Sequence, residues 1–244
     1  MTSHSLKFLV FQHIACEHPG TFREYFAADG IQWDAVELDE GEAIPELEGY
    51  DALWVMGGPM DTWQEDAHPW LKTEKAAIRH AVVDLKMPYM GLCLGHQLLA
   101  EALGGKVGPA AEPEIGIMPV HLTDTGKTSP FLEGFPETLW CLQWHSAEVL
   151  EAPQGADILV STPACQVQAM SWGPKAFSIQ YHVEIDETTV PMWGAIPEYA
   201  GALEKTAGAG ALERFKAEAD ERMTGMKADS KKLYENFMRA AGFR

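Results

Sequence analysis

Residues 88–100 read PYMGLCLGHQLLA, and this stretch decides the fold. A short apolar run ends at a glycine, a single cysteine follows, and a second glycine precedes a run of good helix formers. Glycines on both sides of a cysteine are typical of a nucleophile elbow, a strand-to-helix turn in which neighbouring chain passes too close for a β-carbon. The pattern predicts that Cys93 is exposed and fixed in this turn, with its thiolate favoured by the helix N-terminus. A buried structural cysteine also fits the stretch taken alone.

Apolar and amphipathic segments alternate along the chain before this stretch. Buried strands are predicted at residues 6–11, 32–38 and 51–56, and helices at 21–28 and 70–85. Such alternation is typical of an α/β fold, in which a single open, mostly parallel sheet carries helices on both faces. We therefore expect the strand before the cysteine to belong to this sheet.

The pattern changes after the elbow helix. Short, closely spaced strands are predicted there, at residues 116–122, 138–143, 157–161, 167–172 and 176–181. We expect these strands to be mixed or antiparallel and to join one side of the sheet, whereas the tail from residue 186 is largely helical. No linker or repeat divides the sequence, so we expect a single domain over 1–244, with a catalytic core at about 6–190 and a helical extension at about 191–244.

The composition limits the partners and the compartment. Acidic residues outnumber basic ones by 36 to 18, and the net charge of -18 argues against nucleic acid or an anionic membrane as a partner. The four cysteines show neither paired nor metal-type spacing, so we expect no disulfide framework, no metal and no cofactor. The apolar run at 6–11 is too short for a signal sequence, and no run reaches membrane-spanning length. We expect a soluble, cytoplasmic protein.

The segment after the last predicted strand offers a base for the cysteine. His182 follows the strand at 176–181 directly, and Glu184 comes two residues later. If the chain is still extended there, both side chains point to the same side, so that Glu184 can fix the imidazole tautomer while the other nitrogen faces the sulfur. A surface histidine and glutamate at a strand end also fit this segment taken alone.

The glycine pair Gly57–Gly58 follows another predicted strand and offers a donor for an oxyanion. A thiolate that attacks a carbonyl group needs N–H groups for the developing negative charge. One N–H of the glycine pair and the N–H of Leu94, just after the cysteine, can supply them, because sites in open α/β sheets gather at the carboxyl ends of strands. Taken alone, these glycines are more typical of an ordinary loop.

Residues 142–149, LQWHSAEV, are interpreted as a strand that runs into a polar turn. His145 in this turn is either a second candidate base or a loop residue beside the pocket. We favour the loop residue, because no carboxylate sits at a spacing that would orient the imidazole.

Together, these segments resemble the class I (triad-type) glutamine amidotransferases. Residues 56–59 (MGGP) are similar to the family's oxyanion motif, residues 91–97 (GLCLGHQ) to its nucleophile elbow, and residues 180–184 (QYHVE) to its Gln-x-His-Pro-Glu motif. The order and spacing of the motifs agree, and the resemblance covers roughly residues 6–190. It implies a flavodoxin-like fold and a stand-alone glutaminase domain similar to that of the GMP synthases.

The resemblance also implies a role for each matching residue. Cys93 would form a γ-glutamyl thioester, His182 would act as acid and base, and Glu184 would orient the imidazole. The backbone N–H groups of Gly58 and Leu94 would hold the oxyanion. The substrate would be bound by Gly57 in the oxyanion motif and by Gln97 in the helix after the elbow. The segment after residue 142 would add His145, Ser146 and Ala147.

Two positions depart from the family pattern. Val183 stands where proline is usual, and we expect this change only to loosen a turn. Ala147 stands where several members carry aspartate and others an apolar residue. We expect the second change to affect recognition of the substrate or of a partner more than catalysis.

The implied reaction is cysteine-dependent hydrolysis of the γ-amide of glutamine, which releases ammonia for an amidotransferase. We expect the partner to be a separate synthetase subunit, because this chain has no room for a synthetase domain. The alternative is a free-standing hydrolase of another γ-glutamyl amide, such as an alkylamide in amine catabolism. A non-catalytic regulatory subunit would usually lack the cysteine or the histidine, and both are present. The elbow motif also fits an α/β-hydrolase with a cysteine nucleophile. That fold places its acid well before a late histidine, whereas here Glu184 follows His182 by two residues.

Overall fold

Nine strands form one sheet in the computed structural model, which describes residues 5–244; the first four residues of the expected domain 1–244 lie outside the described residues. The strands are, in chain order, β1 (Lys7–Gln12), β2 (Gln32–Glu37), β3 (Ala52–Val55), β4 (Tyr89–Leu92), β5 (Lys106–Leu122), β6 (Thr138–Glu151), β7 (Ala156–Ser161), β8 (Ala169–Trp172) and β9 (Ala176–Ile179). Their order across the sheet is β2-β1-β3-β4-β9-β8-β7-β5-β6.

The sheet has a parallel half and an antiparallel half. Strands β2, β1, β3, β4 and β9 pair in parallel, whereas β8, β7, β5 and β6 join beyond β9 through antiparallel pairs. This arrangement confirms the predicted α/β fold with strands added on one side. The carboxyl ends of the parallel strands meet at one edge, where β4 leads into the cysteine.

Two of the added strands are longer than predicted. β5 begins at Lys106 rather than at residue 116, and β6 continues to Glu151 rather than ending at residue 143. The prolines and glycine in the first half of β5 suggest a loop, but a register shift between Pro109 and Glu114 absorbs the irregular backbone and keeps the strands paired. The polar turn predicted after residue 142 is therefore wrong, since this segment stays in β6.

Seven helices accompany the sheet within residues 5–244: α1 (Phe22–Asp29), α2 (Trp70–Arg79), α3 (Leu94–Ala102), α4 (Asp124–Thr128), α5 (Thr189–Trp193), α6 (Pro197–Ala207) and α7 (Ala211–Ala240). A π-helical turn over His80–Asp84 continues α2, so that the helical segment matches the range predicted as 70–85. None of these helices combines the length and the apolar character that a bilayer crossing requires.

The two faces of the sheet carry separate apolar cores. Successive side chains of a strand point to opposite faces, so Phe8 and Trp54 pack on the side of α1 and α7, and Leu9 and Leu53 pack on the side of α2 and α3. Burial of both faces explains why these strands read as continuous apolar runs. Helices therefore cover both sides of the parallel strands, as predicted.

A third apolar cluster joins the C-terminal helices to β5 and β6. Its aromatic members are Trp144 in β6, Trp193 in α5, Tyr199 in α6 and Phe215 in α7, with neighbouring ring centroids 5.0 to 6.1 Å apart. Aromatic rings at this separation contribute packing energy beyond their buried area. This cluster brings α5 and α6 to the sheet edge that carries the cysteine.

Candidate active site

Cys93 occupies the turn between β4 and α3 with a strained backbone, φ 50° and ψ −102°. The two flanking glycines are required by close approach: a β-carbon on Gly91 would lie 2.7 Å from the Gly95 carbonyl oxygen, and one on Gly95 would lie 2.1 Å from the Val55 carbonyl oxygen. The Cys93 N–H donates to the Ile179 carbonyl oxygen at 2.9 Å, which ties the turn to β9. Packing on two neighbouring strands thus holds a conformation that a non-glycine residue rarely adopts.

The expectation of an exposed Cys93 is wrong, since only 5% of the residue is accessible. Burial raises the pKa of the Cys93 thiol, while the charge of His182 and a hydrogen bond to it act in the opposite direction. Burial alone would lower the pKa of His182, but Glu184 and Cys93 hold it well above its ordinary value. The pKa of the thiol is raised overall, so a thiolate at Cys93 requires the charge of the neighbouring imidazolium.

His182 and Glu184 lie beside Cys93, just beyond the end of β9. His182 Nδ1 lies 2.6 Å from Glu184 Oε1, and Glu184 Oε2 accepts the Val183 N–H at 2.9 Å. The regular strand stops at Ile179, and a single antiparallel bridge between His182 and Leu142 keeps the backbone in place. A carboxylate at Nδ1 leaves the other ring nitrogen of the imidazole for the sulfur.

Two aromatic residues from the C-terminal helices lie at this site, one against His182 and the other against the buried Glu17. The ring of Trp193 meets the His182 imidazole edge to face, with centroids 4.5 Å apart. The Tyr199 hydroxyl donates to Glu17 Oε1, and both of these side chains are buried. Glu17 Oε2 has no hydrogen-bond partner among the described residues, and burial raises the pKa of this carboxyl group. Neither Glu17 nor Tyr199 belongs to a recognised motif, so sequence analysis missed both.

The backbone N–H groups of Gly58 and Leu94 are free of protein acceptors from residues 5–244. Both residues line the same cavity as Cys93. Gly57 does not line the cavity; its carbonyl oxygen lies 2.8 Å from Nδ1 of His13. The two N–H groups are thus available to a ligand, whereas the Gly57 carbonyl oxygen is already hydrogen-bonded to His13.

A cavity of about 290 Å³ opens beside Cys93. Its walls come from the loop after β3, from α3, from β6 and from α6. The lining residues are Gly58, Pro59, Met60, Asp61, Gln64, Cys93, Leu94, Gln97, Trp144, His145, Ser146, Ala147, Glu198, Tyr199 and Ala202. All the predicted substrate-binding residues except Gly57 are therefore together in one cavity. No group of three or more His, Cys, Asp or Glu side chains in the described part of the chain is arranged to hold a metal ion.

His145 has a carboxylate partner, contrary to the sequence interpretation. Its Nε2 lies 3.1 Å from Glu114 Oε2, and its Nδ1 lies 3.0 Å from the carbonyl oxygen of Ala147. Glu114 faces His145 across the β5–β6 pair, so that only strand register brings the two together. Thr162 and Gln168 also donate to Glu114, at 3.0 and 2.6 Å. This network fixes the β6 wall of the cavity.

Two glutamine side chains link that wall to the cysteine. Gln97 Nε2 donates to the Ala147 carbonyl oxygen and to Gln180 Oε1, both at 3.0 Å. Gln180 Nε2 lies 3.5 Å from the Cys93 sulfur and donates to it. The sequence motif contains Gln180 but did not indicate this contact, although two-residue spacing from His182 on an extended chain places both side chains on one side.

A buried pair, His13 and Glu74, lies beside the loop after β3 that contains Gly57 and Gly58. His13 Nε2 is 2.8 Å from Glu74 Oε1, and both side chains are fully buried. Burial alone would lower the pKa of His13, but Glu74 raises it above its ordinary value. The two residues are 61 positions apart and come from different elements, so no local pattern could have indicated them.

The chain matches a known protein family over more than half of its length. A family model described as glutamine amidotransferase class-I matches residues 21–191. The chain is similar to a subunit of the glutamine-hydrolyzing GMP synthase of Saccharolobus solfataricus, at 34% identity over 146 residues, or 59% of this chain and 73% of that protein. It is also similar to gamma-glutamyl peptidase 3 of Arabidopsis thaliana, at 29% identity over 175 residues, which cover 68% of each chain.

Solved structures extend the similarity to nearly the whole chain. A glutamine amidotransferase from Thermotoga maritima superimposes with a TM-score of 0.85 and 26% identity, covering 98% of this chain and 99% of that one. One from Methylobacillus flagellatus gives a TM-score of 0.81 and 27% identity, covering 97% of this chain and 94% of that one. The C-terminal helices beyond residue 191 thus have counterparts in proteins of this kind.

Proposed function

The chain belongs to the class I glutamine amidotransferase family, and on this premise we propose how its side chains carry out hydrolysis of a γ-glutamyl amide. Membership confirms the expected class of enzyme, a C–N amide hydrolase of the glutaminase type. The observation that supports the assignment of roles is the position of the strained Cys93 next to the His182–Glu184 pair.

Cys93 is the proposed nucleophile, with His182 as acid and base and Glu184 as its orienting partner. The Cys93 thiolate attacks the γ-carbonyl carbon of glutamine, and the C–N bond breaks as His182 gives a proton to the departing ammonia. Water, deprotonated by His182, then cleaves the γ-glutamyl thioester and releases glutamate. The 2.6 Å hydrogen bond from His182 to Glu184 supports this division of roles.

The Gly58 and Leu94 N–H groups are the proposed oxyanion donors. They lie on the cavity beside Cys93 and have no acceptor from residues 5–244, so a tetrahedral intermediate can use both. Donors that are already oriented before the substrate binds cost no reorganisation during the reaction.

The cavity walls are the proposed binding site for the amino-acid end of glutamine. Gln97, His145, Ser146 and Ala147 line the cavity, and Gln97 and His145 both hold the Ala147 carbonyl oxygen. Gly57 is proposed to contribute through the position of its peptide, since its carbonyl oxygen already accepts from His13. The Ala147 side chain offers no charge, so recognition at this point rests on backbone groups.

The ammonia is proposed to serve a separate synthetase subunit, by analogy with the GMP synthase to which the Saccharolobus solfataricus relative belongs. A second candidate is hydrolysis of a larger γ-glutamyl amide or peptide, which the similarity to gamma-glutamyl peptidase 3 favours. We further propose that residues 1–244 act as one domain, which the contribution of α6 to the cavity supports, and that the protein is cytoplasmic.

Release of amine from L-glutamine, γ-glutamyl methylamide and a γ-glutamyl dipeptide tests these alternatives, with the Cys93→Ala variant as blank. Hydroxylamine in the assay captures the thioester as γ-glutamyl hydroxamate. Glutamine turnover that rises on addition of the synthetase subunit from the source organism supports the first proposal. Preference for the alkylamide or the dipeptide supports the second. Turnover by Cys93→Ala equal to that of the wild type contradicts both.

A further inference from the structure

We infer that His13 and Glu74 are positioning residues for the oxyanion site, because they hold the Gly57–Gly58 peptide with the Gly58 N–H facing the cavity. The inference rests on the proposed function, in which this N–H stabilises the oxyanion. Neither side chain lines the cavity, and both act through the main chain of the loop after β3.

The contact between His13 and the Gly57 carbonyl oxygen shows which nitrogen of the imidazole carries a proton. The Gly57 carbonyl oxygen can only accept a hydrogen bond, so the His13 Nδ1 atom 2.8 Å away must carry the donated proton. The Nε2 atom faces the Glu74 carboxyl group at 2.8 Å, which anchors the far side of the ring. Trp70 stacks on the imidazole with a centroid distance of 5.4 Å and an interplanar angle of 19°. The ring has little freedom to turn.

The orientation of the Gly58 N–H follows from peptide geometry. The peptide between Gly57 and Gly58 is trans, as are the other described peptides. Because a trans peptide is close to planar, its N–H points opposite to its C=O. Because His13 holds the C=O on one side, the N–H must point to the other. Gly58 lines the cavity next to Cys93, and its N–H has no acceptor within the described chain.

The Gly57–Gly58 peptide needs a contact from another residue to fix its conformation. A Gly–Gly peptide can rotate through conformations that are closed to other residues, and each rotation would turn the donor away from the substrate. Larger residues cannot restrain the loop, because a β-carbon on Gly58 would lie 2.8 Å from His13 Cβ and 2.9 Å from Leu94 Cδ2. One on Gly57 would lie 1.8 Å from Glu17 Oε2. The restraint therefore comes from a side-chain hydrogen bond instead.

Two double variants isolate the hydrogen bond. His13→Leu/Glu74→Gln removes the donor without leaving a charge buried alone, and His13→Asn/Glu74→Gln supplies an amide N–H near the former Nδ1. We expect the Leu variant to lose about 10²-fold in kcat, with KM for the amide substrate changed by less than about threefold, because one oxyanion donor is worth a factor of this size. The kcat of the Asn variant should be at least about tenfold higher than that of the Leu variant.

Asn236→Leu is the matched control for lost stability. Asn236 is buried in α7 outside the cavity and donates to the carbonyl oxygens of Phe131 and Glu133. We expect this variant to unfold at lower urea concentration and to keep the wild-type kcat. A Leu variant with wild-type kcat, or an Asn variant no better than the Leu variant, overturns the inference.

Crystal structures of the two double variants give a readout that does not depend on turnover. We expect the Gly57–Gly58 peptide to be rotated in the Leu variant and unrotated in the Asn variant. An unrotated peptide in the Leu variant overturns the inference even if the enzyme proves inactive on every amide tested. Inactivity of the wild type, in contrast, argues against the proposed function. The crystal structures of the variants then still decide whether His13 orients the Gly57–Gly58 peptide.

Discussion

Glu184 Oε1 lies 2.6 Å from His182 Nδ1, although neither residue belongs to a regular strand. β9 ends at Ile179, and the backbone of His182 is held by its N–H bond to the Leu142 carbonyl oxygen at 2.9 Å. The backbone bends at Gln180, Tyr181 and Glu184, so the two side chains meet in an irregular segment that one strand bridge at His182 holds against β6. The geometry of the pair thus depends on β6, because Leu142 belongs to that strand and lies 40 residues before His182 in the chain.

Replacement of Glu184 by glutamine should change the pH dependence more than the maximal rate. Glu184 helps to hold the pKa of His182 above its ordinary value, so its removal lowers that pKa and the imidazolium loses its proton at lower pH. We expect the alkaline limb of the kcat/KM profile to move to lower pH, and His182→Ala to be far more impaired than Glu184→Gln. An unchanged alkaline limb, or equal activity of His182→Ala and wild type, contradicts the assignment of this pair.

Cys93→Ala and Cys93→Gly should both abolish amide hydrolysis but differ in stability. Alanine keeps a β-carbon at φ 50°, whereas glycine adopts this conformation without strain. We expect the glycine variant to have the larger free energy of unfolding, by about 1 kcal/mol, in urea titrations. The opposite order would mean that the turn is not strained by its side chain.

Gly95→Ala should destabilise the fold although it places a better helix former in α3. The new β-carbon would lie 2.1 Å from the Val55 carbonyl oxygen, and the rigid strand cannot move away cheaply. We expect a loss of about 3 kcal/mol in the free energy of unfolding. Gly225→Ala in α7 is the matched control, since nothing lies within 4 Å of the position that its new methyl group would take, and a gain of about 0.5–1 kcal/mol is expected. Equal effects of the two substitutions would argue against the close packing of the elbow.

Glu114→Gln should weaken substrate binding more than the chemical step. Glu114 holds His145, which in turn holds the Ala147 carbonyl oxygen on the cavity wall. We expect KM for the amide substrate to rise about tenfold with kcat changed by less than about threefold, because a positioning contact on the binding wall is lost. Glu112→Gln, an exposed change on the same strand, should leave both constants as in the wild type. A selective fall in kcat would place Glu114 closer to the chemistry than proposed.

The α/β fold and the elbow could be predicted because their signals are local. The glycines around Cys93, the apolar runs of the parallel strands and the two-residue spacing of His182 and Glu184 all lie within a few residues of one another. Steric limits on the backbone and the alternation of strand faces act over the same short range. Such patterns can therefore be recognised in the sequence before the packing of the rest of the chain is known.

The extent of β5 and β6, the burial of Cys93 and the partners of His145 and Gly57 were decided only by the tertiary structure. Glu114 meets His145 through strand register, and Glu74 meets His13 through the packing of α2 against the loop after β1. Burial and hydrogen bonding between distant segments depend on the whole packed fold, and no local pattern records them. The sequence by itself determined the candidates for the chemistry, because their motifs are local, and the tertiary structure decided what holds them and how far they are from water.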